Sequence, residues 1–341
     1  MASAVSRVVS RIIRTDRELE MPRVDAALRA AGHELTLLPD SVSEQAFAQA
    51  LRDAELLLMC YTPVTARVIE SAASLKGIIK YGVGVDAIDI AAAGRRGIPV
   101  VNVPKYAEET VAEGAFALLM ALAKKLKPIQ RAMDGEGWLW PQAQWLGLDL
   151  AGKTLGLVGV GRIGSNMARM AQGFRMRVLG FDPYAVFPSG VQKRNNLQSM
   201  LAECDFVSIH CVLNPETRNL IGEAELRAMK PSAFLVNVSR GAIVDEAALL
   251  RALQERRIAG AALDVFSAEP VRRTGHPLSA LYAMDNVILS PHLTFYTQEA
   301  MARLEAETLE RCLEVLEGRP VLVKSRDPRL RAQRKGVRFA D

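Results

Sequence analysis

The sequence predicts an α/β protein with two doubly wound parallel-sheet domains. Short runs rich in β-branched residues alternate with amphipathic helical stretches, which is typical of parallel strands joined by crossover helices. The length of 341 residues suits about two domains. Half of the residues are hydrophobic and 24% are charged, which excludes a disordered chain.

The first third of the chain predicts one small α/β domain. Its candidate strands are residues 8–14, 34–38, 56–60, 77–81 and 100–103, with helical stretches at 24–31 and 65–73. The N-terminus is rich in Ser and Arg and lacks acids, which faintly resembles a transit peptide. Val8, Val9, Ile12 and Ile13 favour a first strand instead.

A long helix is predicted between the two domains, over residues 110–126. Thr110 and Glu113 have capping-box spacing, and Pro128 is expected to end the helix. Residues 135–150 contain Trp138, Trp140 and Trp145 and are expected to form a loop, with the tryptophans in a core, a subunit contact or a lid.

A second α/β series follows. Its predicted strands are residues 155–158, 177–181, 206–210, 234–238, 260–265 and 287–289, and a last helix covers 298–316. Six strands are enough for a complete dinucleotide-binding fold.

A phosphate-binding loop is predicted after the first strand of this series, in the form G-x-G-x-x-G followed by a helix. Gly159 permits the tight turn, Gly161 lets a pyrophosphate approach the backbone, and Gly164 lets helix and strand pack closely. Asp182 ends the next strand, where its carboxylate can accept from both ribose hydroxyls and repel a 2′-phosphate. The pattern therefore predicts NAD rather than NADP.

Three chemically capable side chains follow strands of the same series. Arg240, Glu269 and His292 each come shortly after a predicted strand, so they are expected at the carboxyl edge of one sheet. Arginine can bind a carboxylate through two hydrogen bonds, and histidine transfers protons near neutral pH. A neighbouring glutamate would hold the imidazole and favour its charged form.

Together, these motifs resemble the D-isomer-specific 2-hydroxyacid dehydrogenases. The resemblance covers roughly residues 8–320. It rests on the glycine loop with Asp182, on Asn-Val-Ser-Arg-Gly-Ala-Ile-Val-Asp at 237–245, on Leu-Asp-Val-Phe-Ser-Ala-Glu-Pro at 263–270 and on Ser-Pro-His at 290–292. Upstream, residues 80–89 are similar to that family's substrate loop and residues 102–113 to its domain-crossing segment.

The resemblance implies a role for each matching residue. Arg240 would bind the substrate carboxylate and the keto or hydroxyl oxygen, His292 would be the general acid/base, and Glu269 would orient it. The backbone amides of Val83 and Gly84 would hold the substrate carboxylate. Further cofactor contacts are expected from Arg162, Ile163, Cys211, Val238, Ser239 and Asp264.

The resemblance also implies a discontinuous topology. A flavodoxin-like substrate domain would take residues 1–104 plus 294–323, and a Rossmann NAD-binding domain, 105–293, would be inserted into it, with the substrate in the cleft. The helix at 110–126 and the tryptophan segment resemble a dimer-forming arm, so a homodimer is expected. The chain departs from the family at Ala87, at Val212 and at 293–296, where Phe295 and Tyr296 are expected to crowd the mouth of the site.

The predicted function is NAD-dependent hydride transfer to or from a small 2-keto or 2-hydroxy acid. The substrate and the physiological direction stay open. Two alternatives also stay open: an NAD-sensing binding protein similar to the C-terminal-binding corepressors, and a phosphite dehydrogenase, which could use the same three residues.

Charge and cysteine content limit the other function classes. Residues 324–341 hold seven basic and two acidic side chains, which accounts for the whole net charge of +5. This basic C-terminal tail is expected to be solvated. The alternative is an arm that binds nucleic acid or phosphate. The four scattered cysteines predict neither a disulfide framework nor a metal site, and a reducing cytoplasm is the expected location. No apolar run is long enough to span a bilayer.

Overall fold

The computed structural model describes residues 9–340, which divide into two compact units. Unit 1 comprises residues 9–106 and 297–340, and unit 2 is Ala107–Tyr296. These limits lie close to the predicted domain boundaries. The first strand begins at Arg11, so Val8 of the predicted strand lies outside the described residues, as does most of the stretch resembling a transit peptide.

Unit 1 contains a parallel five-stranded sheet in the order β2-β1-β3-β4-β5 within the described residues. This is the flavodoxin-like order, so the predicted fold of this unit is confirmed. Its strands are β1 (Arg11–Arg14), β2 (Glu34–Leu37), β3 (Leu56–Met59), β4 (Gly77–Lys80) and β5 (Val100–Asn102). Its helices are α1 (Pro22–Ala30), α2 (Glu44–Leu51), α3 (Ala66–Ser71), α4 (Ile90–Arg95) and α11 (Gln298–Leu316). β3 and β4 are buried along their whole length, as expected for central strands of a parallel sheet whose faces are covered by helices.

Unit 2 contains a parallel seven-stranded sheet in the order β12-β11-β10-β9-β6-β7-β8. The strands are β6 (Thr154–Val158), β7 (Arg177–Phe181), β8 (Val191–Lys193), β9 (Phe206–Ile209), β10 (Phe234–Asn237), β11 (Gly260–Leu263) and β12 (Val287–Leu289). This is the Rossmann order with one added strand, and the order reverses between β6 and β9, where ligands bind in such sheets. The sequence missed β8, because two of its three residues are exposed and no apolar run marks it.

The helices of unit 2 cover both faces of this sheet and complete two apolar cores. They are α5 (Glu108–Ala123), α6 (Leu126–Glu136), α7 (Arg162–Gly173), α8 (Leu197–Glu203), α9 (Glu223–Ala228) and α10 (Glu246–Gln254). α5 packs on α7 and on β10 and β11, which buries one side of the sheet.

The single helix predicted over 110–126 is wrong in its bounds. α5 begins at Glu108 with Ala107 at its N-cap, so Thr110 lies buried in the first turn rather than at the N-cap. Lys125 takes a left-handed conformation (φ 51°) that breaks the helix, and α6 starts directly after it. Pro128 therefore lies in the first turn of α6, where its missing N–H costs nothing.

The expectation of a solvated C-terminal tail is also wrong. β13 (Val321–Val323) and β14 (Val337–Phe339) form a parallel pair, with α12 (Pro328–Arg331) between them. Val323 and Leu330 are fully buried, and the guanidinium of Arg338 reaches the buried carboxylate of Glu314 at 2.6 Å. The apolar residues that lie between the arginines anchor the segment. A count of charges alone does not show this.

Candidate active site

The phosphate loop of unit 2 has the geometry that its three glycines predict. A Cβ on Gly159, whose φ is +94°, would lie 2.4 Å from the backbone N of Cys211. A Cβ on Gly164 would lie 2.3 Å from the carbonyl oxygen of Gly159. At Gly161 a Cβ would meet no atom within 4 Å. The first and third glycines therefore allow close packing, and the second leaves open space for a ligand.

The first turn of α7 presents its backbone amides at this open space. Gly161 is the N-cap and supplies no side chain to accept from them. The amides of Arg162 and Ile163 belong to that first turn, where N–H groups lack helical partners and favour an anion. The guanidinium of Arg162 forms an ion pair with Glu108 at the start of α5. Arg162 thus offers its backbone, rather than its charge, to the loop.

Asp182 follows β7 and organises the adjacent turn. One carboxylate oxygen accepts from the amide of Val160 at 2.9 Å, and the other accepts from Tyr184 at 2.9 Å and Ala185 at 3.0 Å. Asp182 is partly exposed, so ribose hydroxyls can still reach its carboxylate. The cradle, the amides and this carboxylate fit a dinucleotide.

The ends of β9 and β10 are joined beside the glycine loop. The hydroxyl of Ser239, next to the buried Val238, donates to the carbonyl of Cys211 at 2.5 Å. His210 bonds Ser208 through Nε2, while its Nδ1 is buried and meets no partner among the described residues. Burial lowers the pKa of His210 to about 3 and raises that of Cys211 to about 12. Both groups are therefore neutral at physiological pH.

Arg240 stands at the end of a tight turn after β10. Asn237 accepts from the amide of Ser239 at 3.1 Å and donates to the carbonyl of Arg240 at 3.0 Å, which closes the turn. A Cβ on Gly241 would lie 2.0 Å from the carbonyl carbon of Phe266. Glycine after the arginine is thus what lets this turn pack against the segment that leads to Glu269.

Glu269 and His292 form the pair that the sequence predicts. Nδ1 of His292 lies 3.0 Å from Oε2 of Glu269. The other carboxylate oxygen accepts from the amide of Phe266 at 2.9 Å, which fixes the orientation of the glutamate. Both side chains retain partial solvent exposure, so a ligand can reach the imidazole.

Asp264 holds the backbone that presents His292. It is fully buried, and its carboxylate accepts from the amides of Leu293 and Thr294 at 2.9 and 3.1 Å and from the Thr294 hydroxyl at 2.6 Å. Its carbonyl accepts from the amide of His292 at 2.8 Å. His292 has φ +58°, a conformation that costs free energy for a non-glycine residue and that these bonds maintain. The family resemblance implies a cofactor contact for Asp264 and gives no sign of this positioning role.

Phe295 and Tyr296, which are expected to crowd the mouth of the site, pack in series from the His292 ring outward. The side chain of Phe295 is 6% exposed and packs edge-on against the His292 ring, with centroids 6.3 Å apart. Tyr296 packs edge-on against Phe295 and is 46% exposed. Phe295 therefore restricts the movement of the His292 imidazole. The residue pattern of the sequence does not reveal this contact.

Unit 1, taken by itself, contains the loop that the family resemblance links to the substrate carboxylate. We call residues 82–86 the carboxylate loop. Within the described residues, neither the amide of Val83 nor that of Gly84 donates to a protein acceptor. Adjacent unpaired amides form a concavity that suits an anion. The side chain of Asn102 donates to the carbonyl of Val83 at 2.5 Å and steadies the loop from below.

Lys80 is a candidate that sequence reasoning passed over, although it ends an otherwise apolar strand. Its ammonium is buried and donates to the carbonyl of Cys60 at 2.6 Å, with Sγ of Cys60 at 3.0 Å. No carboxylate of the described residues lies within ion-pair distance of it. A Cβ on Gly82 would be 3.0 Å from Nζ, so this positive charge lies beside the carboxylate loop.

Over residues 9–340, no group of three or more His, Cys, Asp or Glu side chains could hold a metal ion. No helix in the same range is long and apolar enough to cross a membrane. His276 accepts from the amide of Leu278 and lies 3.2 Å from the carbonyl of Ala268, so it stabilises a turn.

The sheet order and the phosphate loop define unit 2 as a nicotinamide-dinucleotide-binding domain, and comparison with known proteins identifies the family. Residues 116–294 match the model of the D-isomer specific 2-hydroxyacid dehydrogenase NAD-binding domain. The chain belongs to this family. Because the similar members of the family are named dehydrogenases and reductases, the chain is an oxidoreductase.

Three relatives illustrate the range of the family. A glyoxylate reductase of Korarchaeum cryptofilum is 41% identical over 289 residues, 81% of this chain and 85% of that protein. A D-3-phosphoglycerate dehydrogenase of Synechocystis is 39% identical over 78% of this chain, which spans only 47% of that protein. The crystal structure of D-lactate dehydrogenase from Aquifex aeolicus, complexed with NAD and lactic acid, has a TM-score of 0.80 at 30% identity and covers 90% of this chain and 96% of that one.

Proposed function

We propose that this protein transfers a hydride between NAD and a small 2-keto or 2-hydroxy acid. The observation that carries the proposal is the contact between the side chains of His292 and Glu269. The backbone of His292 is held in a left-handed conformation that presents its ring to Glu269. The bound dinucleotide would supply the hydride that reaches the carbonyl carbon. The three relatives described above act, by their names, on acids of this class.

In the reductive direction, His292 acts as the general acid. Because Nδ1 is bonded to Glu269, the proton that moves is the one on Nε2. It goes to the carbonyl oxygen of the substrate as negative charge develops there. The carboxylate of Glu269 stabilises the charged imidazolium before the transfer and holds the ring orientation throughout.

Arg240 and the carboxylate loop bind and orient the acid. The guanidinium of Arg240 can donate two hydrogen bonds to the substrate carboxylate or stabilise charge on the reacting oxygen. The amides of Val83 and Gly84 bind the other carboxylate oxygen, and the buried Lys80 ammonium makes their surroundings more favourable to an anion. An acid without a 2-keto or 2-hydroxy group offers no oxygen to His292.

The cofactor is NAD rather than NADP. The glycine loop and the first turn of α7 would hold the pyrophosphate, and Asp182 would accept from the ribose hydroxyls. A 2′-phosphate would face the Asp182 carboxylate. Pro183 and Tyr184, which follow it, provide no compensating positive charge.

A substrate panel tests this function. Glyoxylate, hydroxypyruvate and pyruvate are offered with NADH and with NADPH, phosphoglycerate is offered with NAD and with NADP, and phosphite is offered with NAD. We expect turnover of at least one keto acid with a clear preference for NADH. Turnover of phosphite alone would indicate the phosphite dehydrogenase alternative, and NADH binding without any turnover would indicate a sensing protein.

Asp182→Asn is the matched variant for cofactor choice. It keeps hydrogen-bonding capacity in the turn and removes the negative charge, so the ratio of NADH to NADPH activity should fall. Equal use of both cofactors by the unaltered protein would contradict the assignment to Asp182.

We further propose that the protein is a cytoplasmic homodimer. α6 has no buried side chain, and Trp138 and Trp140 are 74% and 72% exposed beside it. A second copy of the chain is the partner that would cover this apolar face, since symmetric association is the commonest arrangement of soluble oligomers. The four free cysteines agree with a reducing compartment.

A further inference from the structure

The folded C-terminal segment, residues 321–340, is connected to the carboxylate loop through the edge of the unit 1 sheet. β5 is the last strand of that sheet, so one of its edges needs another partner. The side-chain amide of Gln333 supplies it: its Nε2 donates to the carbonyl of Val100 at 2.8 Å, and its Oε1 accepts from the amide of Val100 at 2.7 Å. Asn102, on the same strand, donates to the carbonyl of Val83.

A second connection is electrostatic. Arg329 in α12 forms two hydrogen bonds to Asp327, at 3.0 and 2.7 Å. Asp327 raises the pKa of Arg329, and Asp86 of the carboxylate loop adds a smaller contribution. The charge of Arg329 is thus coupled electrostatically to Asp86 of the loop.

The segment is anchored firmly enough to act as a support. Both oxygens of the buried Glu314 carboxylate are used: one accepts from Arg338 at 2.6 Å and the other from the amide of Leu322 at 3.0 Å. A Cβ on Gly336 would lie 3.1 Å from Pro99, which precedes β5. These contacts fix the segment at both of its strands.

We propose that the C-terminal segment is a positioning element for substrate binding, which holds the carboxylate loop in the conformation that exposes the amides of Val83 and Gly84. Gln333 acts through β5 and Asn102, and Arg329 acts through Asp86. This inference rests on the proposed function. The positioning role means that basic residues of the segment act within the chain itself. Binding of an external polyanion is not needed to explain them.

The test uses the double variant Gln333→Leu/Arg329→Gln in the full-length chain. We expect the KM for the best keto acid to rise about tenfold, which corresponds to ~1.4 kcal/mol of binding. The kcat should stay within about twofold, because His292 and Arg240 are unchanged. NADH affinity should also stay unchanged, because the cofactor site lies in unit 2. Arg334→Gln is the matched control, since Arg334 is exposed and forms no hydrogen bond or ion pair within the described residues.

Hydrogen exchange gives a readout that does not depend on turnover. Peptides that cover the carboxylate loop should exchange faster in the double variant, whereas peptides from unit 2 should not change. Restoring Gln333 or substituting Arg329→Lys should recover part of the effect. Unchanged KM and unchanged loop exchange in a folded double variant would overturn the inference. A wild-type protein that reduces no keto acid, with faster loop exchange in the variant, would instead overturn the proposed substrate.

Discussion

At the scale of single residues, the imidazole of His292 is the group on which the proposed chemistry depends. We expect His292→Ala to lower kcat by about 10²–10⁴, the usual contribution of a positioned general acid. NADH binding should change little, because the glycine loop and Asp182 hold the dinucleotide. A variant that reduces its best substrate at nearly the wild-type rate would exclude His292 as the proton donor.

Glu269→Gln separates the charge of the glutamate from its hydrogen bond. The amide can still accept from Nδ1, but it no longer stabilises an imidazolium. The kcat for keto-acid reduction should fall, by about tenfold or more, because the imidazole that donates the proton loses its counter-charge while its orientation is kept. An unchanged kcat in a folded Glu269→Gln variant would show that the carboxylate charge has no part in the proton transfer.

His210 should make the stability of unit 2 depend on pH. Its pKa is about 3 in the folded protein because burial disfavours the charged ring, and it returns to about 6.5 on unfolding. The unfolded state therefore binds the proton first, and stability is lost as pH falls from about 6.5 toward 3. Urea unfolding at about pH 7.5 and 4.5 should show a smaller loss in His210→Gln than in the unaltered protein. Equal losses would contradict the buried neutral ring.

At the scale of elements, the phosphate loop with α7 offers a pair of variants with opposite effects. Gly164→Ala puts a Cβ against the Gly159 carbonyl and should cost about 1–3 kcal/mol of unfolding free energy. Gly161→Ala meets no protein atom, so its stability should stay within about 0.5 kcal/mol. Its NADH affinity should nevertheless fall, by about tenfold, because the Cβ occupies the space proposed for the pyrophosphate.

Calorimetry measures the NADH affinity of the two glycine variants, and thermal unfolding measures their stability. Normal NADH binding by Gly161→Ala would place the pyrophosphate elsewhere. Normal stability of Gly164→Ala would mean that α7 can shift away from β6 at little cost.

At the scale of the whole molecule, the exposed face of α6 predicts a dimer that depends on its aromatic side chains. Leu126, at the start of α6, and Leu146, after the tryptophans in the chain, are also exposed. Replacing both tryptophans with Gln should shift the mass in solution from dimer toward monomer, whereas Tyr184→Gln, at an exposed aromatic residue of the same unit, should not. A wild-type protein that is monomeric at high concentration, as measured by light scattering, would refute the proposed dimer.

The sequence by itself determined most of the strands and the motifs that follow them. Strand runs, the three glycines and the glutamate–histidine pattern were all visible, because each depends on nearby residues or on the shared edge of a parallel sheet. Only the tertiary structure decided the rest. Gln333 pairs with Val100 across 233 positions, Asp264 supports the His292 segment from 29 and 30 positions away, and Phe295 is buried against His292. Such contacts depend on which surfaces folding brings together. Neither local periodicity nor charge composition contains information about these long-range contacts.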